Sequence, residues 1–173
     1  MLKFLRNLLL MEVLIAVTVV GIFAAVLLNR LSYYQEKAEK ANMELTISSI
    51  RSALRMRLAG MMIQGATKRY GEVAEDNPMD WLEHKPGNYG GLLTASRNLK
   101  EIKGNWFYDP ASKSLIYWVK HGDHFRPDSA NEKKVRLKIV LIHENGDPAS
   151  AEANRVAGAR IMLAEPYLWF SPS

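Results

Sequence analysis

The sequence predicts an α+β protein in which a long N-terminal helix, apolar through its first half, packs by its second half on a small antiparallel β-sheet. Three observations carry this. Leu8 to Leu28 (LLLMEVLIAVTVVGIFAAVLL) is a run of twenty-one residues with one charge, Glu12, and one hydroxyl, Thr18. Leu31 to Ala59 contains neither glycine nor proline and is rich in Glu, Lys, Ala, Leu, Met and Arg, the strong helix formers. From Asn105 onward, short runs of aromatic and β-branched residues alternate with turn-forming residues.

Composition sets the limits. A chain of 173 residues suits one domain and an appendage. Without the helix, about 110 residues remain from Thr67 onward, enough for one modest core that borrows a helix face. The net charge of +5 is spread along the chain rather than clustered, which reads as solvated surface; nucleic acid is not an expected partner. The absence of cysteine excludes a disulfide framework and thiol chemistry.

Residues 1–7 (MLKFLRN) form a short basic leader with Lys3 and Arg6. The run that follows, residues 8–28, is long enough to cross a bilayer, which takes about 20 apolar residues as a helix. A carboxylate in such a run costs roughly 2.5–3.5 kcal/mol at the helix centre and less towards an end, so Glu12 is expected to be functional. Arg30, Lys37 and Lys40 on the far side balance the leader, and charge alone sets no orientation. The N-terminus is placed in the cytoplasm because everything foldable lies after the run. A cleaved secretory signal would have a shorter apolar region and a small-x-small exit, whereas this one leaves through Leu27-Leu28-Asn29-Arg30.

Residues 29–65 continue the helix outward, to Gly60 or Gly65. Leu31, Tyr34, Ala38, Ala41 and Leu45 follow 3/4 spacing, as do Ile47, Ile50, Leu54, Leu58 and Met61, but the step from 45 to 47 turns the stripe to nearly the opposite side. The two halves are therefore expected to bury different faces, the later on its own domain and the earlier on copies or related subunits. The alternative is a bent helix wrapping a single core.

Residues 66–173 form the α/β globular domain. Gly71 to Gly91 reads as a connecting loop with a short helix around Met79 to His84, and Leu92 to Ile102 as another short helical piece. Asn105 to Tyr108, the turn Asp109 to Lys113, and Leu115 to Lys120 predict a β-hairpin. Val135 to His143 predicts a central strand, covered on both faces near its end where it becomes continuously apolar. Asn145 to Pro148 is a turn, and Ala149 to Gly158 an alanine-rich segment with helical character. Arg160 to Leu163 or Tyr167 to Phe170 adds an edge strand.

Chemistry-bearing clusters are few. His121-Gly122-Asp123-His124 with His143 has metal-ligand residue types, but its turn glycine after a strand reads as a solvated hairpin end, so no metal site is assigned. Asn145-Gly146-Asp147 lacks the ligand count of a calcium loop. No phosphate loop, nucleophile elbow or HExxH is present, and neither catalytic residues nor a cofactor are expected. Trp106, Phe107, Tyr108, Tyr117 and Trp118 read as core and cross-strand pairs rather than a base-stacking platform.

Glu12 is the fifth residue of the apolar run, Gly21 follows nine positions later, and Ala24 and Ala25 three and four after that. This register resembles the N-terminal segment of type IV pilins and type II secretion pseudopilins. The resemblance covers Leu8 to Leu28 in motif and the whole chain in layout: leader, membrane helix continuing outward, loop, small sheet. In that family prepilin peptidase cuts before the run and methylates the new amino terminus; carried over, cleavage falls between Asn7 and Leu8. Asn7 stands where the family has glycine, Leu8 where it usually has phenylalanine, and Asn29 where a proline is common. The resemblance implies a minor pilin or pseudopilin, single-pass in the inner membrane with a periplasmic domain. It implies subunit assembly through Glu12, Gly21, Ala24 and Ala25, and as partners other pilin or pseudopilin subunits, inner-membrane lipid and prepilin peptidase. The competing expectation is a single-pass protein that never polymerises and uses its domain for binding or as an adaptor. Glu12 separates them, since such an anchor has no evident need for an acid there.

Overall fold

The computed structural model describes residues 2–93, 102–127, 132–143 and 156–170, with the side chains of residues 2–10 and 29 left out of the description. It falls into two compact units, Met1–Ala38 and Glu39–Ser173. One helix, α1, runs from Leu2 to Ile63, as the Gly- and Pro-free sequence requires. Its end is a glycine stop: Gly65 has φ 68°, and the amides of Gly65 and Ala66 donate to the carbonyls of Met62 (3.1 Å) and Met61 (2.8 Å). That pair of bonds satisfies carbonyls the helix would otherwise leave orphaned, and only glycine takes the left-handed conformation without strain.

In the second unit the chain continues through two 3₁₀ helices, Thr67–Ala74 and Pro78–Trp81. The second starts because the Asn77 side chain accepts from the Met79 amide (3.1 Å) and Pro78 presets the first helical residue. The strands are β1 (Tyr89–Leu92), β2 (Trp106–Asp109), β3 (Ser114–Trp118), β4 (Phe125–Pro127), β5 (Lys134–His143), β6 (Val156–Leu163) and β7 (Tyr167–Trp169). Five form one sheet in the order β1-β2-β3-β5-β6, and β4 pairs with β7 in a second, two-stranded sheet.

Several expectations are corrected. The larger sheet is mixed, not antiparallel, because β1 runs parallel to β2; the two are far enough apart in sequence for the long connection that a parallel pair needs. β1 itself lies where the sequence reads as loop, and it includes Leu92, which had been given to a helical piece; the rest of that piece up to residue 101 lies outside the described residues. The 3₁₀ helix Thr67–Ala74 is unanticipated. The short helix after it begins at Pro78 and stops at Trp81, short of His84. Val156 to Gly158 are strand rather than helix, the turn at 145–148 and residues 149–155 being outside the description. Both candidate edge segments form strands, β6 closing one edge of the main sheet and β7 joining β4.

The β2–β3 hairpin has the expected register, Trp106 opposite Tyr117 and Asp109 opposite Ser114. Its turn is fixed by Asp109, which accepts from the Ala111 amide (3.0 Å) and the Ser112 hydroxyl (2.5 Å). Those bonds, the Ser112 hydroxyl foremost, hold the Asp109 carboxyl below its usual range, against an opposing push from partial burial. β5 is central, between β3 and β6, but its end is not covered on both faces: Val140 and Ile142 are 39% and 44% exposed. Lys138 already pairs with the last hairpin residue, Ser114, so beyond it only β6 accompanies β5 in the sheet.

The core lies between the second half of α1 and one face of the sheet. Met43, Ile47, Ile50 and Leu54 pack with Trp106, Tyr108, Leu115, Tyr117, Val135, Leu137 and Ile161, while Val73 and Met79 from the 3₁₀ helices and Phe125 and Trp169 from the small sheet close it. Each such aliphatic side chain contributes about 1.5–3 kcal/mol on burial. Trp106 and Tyr117 meet across the hairpin at 4.9 Å between ring centroids; of the five hairpin aromatics only Trp118 is not fully buried.

Candidate assembly surface

In the first unit every large apolar side chain of α1 from Met11 to Leu28 faces outward, between 45 and 66% exposed. The segment reaches a mean hydropathy of 2.6, and the helix is long and apolar enough to cross a membrane. Such a surface is stable in hydrocarbon and not in water.

Glu12, Gly21, Ala24 and Ala25 are all exposed on it. The helix does not bring the four together. Gly21, Ala24 and Ala25 share a face by their i, i+3, i+4 spacing, whereas Glu12 precedes Gly21 by nine residues, about two and a half turns, and lies on the opposite side. Nothing approaches within 4 Å of the position a Cβ would take on Gly21, so the room it leaves is unused within this chain. The side chains of Asn7 and Leu8, the processing positions implied by the resemblance, lie outside the described residues.

Below the apolar run, Leu31, Tyr34 and Ala38 of the first unit are exposed, as are Ala41 and Leu45 of the second. The residues that pack on the sheet are the other set, Ile47, Ile50 and Leu54, with Leu58 and Met61 partly buried beside them. The buried face begins earlier than the expected switch at Leu45 to Ile47, at Met43, and polar residues carry it further. Glu39 and Lys40 hold the same stripe one turn above Met43, so two faces run side by side there rather than one replacing the other.

Glu39 is the anchor. Its side chain is 8% exposed and accepts from the Tyr117 hydroxyl (3.0 Å), the amides of Lys120 and His121 (both 2.7 Å) and the His121 ring at Nδ1 (2.9 Å). They are a buried hydroxyl on β3 and the orphan donors just past its end, and one carboxylate satisfies them together. Burial, then the Glu39 charge and hydrogen bond, push the Tyr117 phenol far above its ordinary range, so it serves as a neutral donor. Lys40 donates to the Trp169 carbonyl (3.1 Å) and lies near Glu44 (3.8 Å), which ties β7 to the helix. Glu39 and Lys40 were missed because only apolar residues were counted along the stripe. Their signal was the 3/4 spacing through positions 39 or 40, 43, 47, 50 and 54.

The histidine cluster is taken apart by the fold. His121 is turned to Glu39, His124 stacks on Phe170 at 5.2 Å, and His143 is exposed at the far end of β5. Among the described residues no group of three His, Cys, Asp or Glu side chains converges as a metal site. Asn145 and Asp147 lie outside the description.

In comparisons with protein-family models, curated proteins and solved structures, nothing matches the chain.

Proposed function

We propose that this chain is a membrane-anchored structural subunit, a minor pilin or pseudopilin of the type IV pilin-like kind, held in the inner membrane by α1 with its domain in the periplasm, that assembles by bundling of N-terminal helices. One observation carries the reading: outside the membrane run, α1 buries Met43, Ile47, Ile50 and Leu54 in its own domain while Leu31, Tyr34, Ala38, Ala41 and Leu45 stay exposed among the described residues. An apolar stripe left open to water beside a satisfied core face calls for a partner. Placement of Glu12 and Gly21 on opposite sides of the helix adds support. A subunit that uses two opposite faces meets different neighbours on each, which is the heterologous contact of an open assembly rather than a closed dimer. Gly21, Ala24 and Ala25 allow close helix approach, and Glu12 takes a cation from the neighbour, since an unpaired carboxylate is costly in hydrocarbon.

The test is a single cysteine at Tyr34, oxidised in native membranes of the producing cell. Disulfide-linked dimers, absent when the cysteine is placed at Arg51 instead, support a helix-bundled assembly. A chain that stays monomeric from Tyr34, across expression levels at which it reaches the membrane, refutes it.

A further inference from the structure

At the end of the sheet that Glu39 anchors, three segments distant in sequence frame a cleft of about 490 Å³, lined by Lys103, Trp118, Val119, Lys120, Gly122, Asp123, Glu132 and Lys133. The frame is fixed by the main chain. The Gly104 amide donates to the Trp118 carbonyl (2.6 Å), the Trp118 amide to the Asn105 carbonyl (3.1 Å), and the Val119 amide to the Lys133 carbonyl (2.9 Å). Glu39 holds the Lys120 and His121 amides from behind. Gly122 is needed for the close fit, because a Cβ there would stand 2.8 Å from Val119 Cγ1.

We propose that this cleft binds a small tetrahedral oxyanion, a free phosphate or soluble phosphate monoester. Charge favours it. Three lysines and two carboxylates line it, and Lys134 stands beside it with its ammonium 5.3 Å from the Trp118 ring centroid. Glu132 is engaged by Lys134, and Lys133 donates to the Gly122 carbonyl (2.5 Å). Lys103 and Lys120 have no acidic partner among the described residues, and Asp123 is the one carboxylate that opposes an anion. The cationic side chains of the lining are all lysines, whose compact ammonium groups bind phosphate oxygens as point charges. The inference does not depend on whether the chain polymerises.

The full-length chain in neutral phosphatidylcholine nanodiscs is titrated calorimetrically with inorganic phosphate at constant ionic strength. One saturable site is expected. The double variant Lys103→Ala/Lys120→Ala should weaken it about tenfold or more, since each lost charged hydrogen bond carries that order of affinity. Circular dichroism should be unchanged in the double variant. Absence of saturable binding overturns the proposal. So does equal affinity in the double variant, or binding only to discs that contain phosphatidic acid.

Discussion

Removing the carboxylate of Glu39 is expected to loosen the domain from its helix, and the size of the effect follows from what each donor loses. The Tyr117 hydroxyl belongs to a residue 3% exposed, so leaving it unpaired costs about 1–3 kcal/mol. The Lys120 and His121 amides belong to exposed and half-exposed residues that water reaches, and each loses only about 0.5–1 kcal/mol. The His121 ring, 37% exposed, adds about 0–1 kcal/mol. Glu39→Ala should therefore cost roughly 3–4 kcal/mol, a large part of the ~5–15 kcal/mol by which domains are stable. Tm should fall by roughly 10 °C, at about 2–4 °C per kcal/mol for a chain of this length. Glu39→Gln keeps one acceptor and turns the other into a donor facing donors, so it should fall between wild type and alanine. Thermal unfolding of the full chain in detergent, followed by near-ultraviolet circular dichroism, reads this directly, with the exposed Glu44→Ala as control. If Glu39→Ala matches Glu44→Ala, the anchor has been misread.

Other outcomes follow from the same geometry. Ile50→Asp places a charge at a residue with no exposure and should unfold the domain, whereas Ala38→Asp at an exposed position should leave it folded but block assembly; proteolysis and crosslinking separate the two. Gly90→Ala would bring a Cβ to 2.2 Å from the Phe107 ring and should cost about 1–3 kcal/mol in denaturant unfolding, through the shift it forces. Asp109→Ala should lower stability by about 1 kcal/mol at pH 7. The folded carboxyl titrates below its ordinary 3.8, so its contribution is complete above that value and fades as pH falls through the folded one. The Tm gap between wild type and variant should therefore narrow as pH falls below 3.8.

Where local pattern decides the structure, the sequence was legible. α1 and the β2–β3 hairpin follow from an uninterrupted helical composition and from Asp109 beginning a turn between two aromatic runs. Tertiary contacts hid the rest. Tyr-Gly-Gly-Leu reads as a turn by its glycines, yet Gly90 is small because Phe107 occupies the space, which makes β1 possible. The apolar end of β5 promised cover on both faces, but the hairpin stops at Ser114 and leaves Val140 and Ile142 open. The histidines of residues 121–143 suggested a cluster, but two of them turn to different partners and the third is exposed at the far end of β5, while Lys103, Lys120 and Lys133, far apart in sequence, meet at one cleft. Of the assembly surface, the exposed stripe from Leu31 to Leu45 was legible by periodicity. Glu39 was not, since an acid on a helix ordinarily faces water and only the donors past β3 give this one a buried role.

The central claim is assembly through the N-terminal helix, and the leucine variant of Glu12 tests it most directly. With the costly carboxylate gone, by roughly 2.5–3.5 kcal/mol at most, Glu12→Leu should enter the membrane at least as well as wild type. The account predicts normal or raised membrane levels together with loss of crosslinks to neighbouring subunits, both measured in the same cells. Membrane levels unchanged with crosslinking also unchanged would contradict it and leave α1 as an anchor that never polymerises.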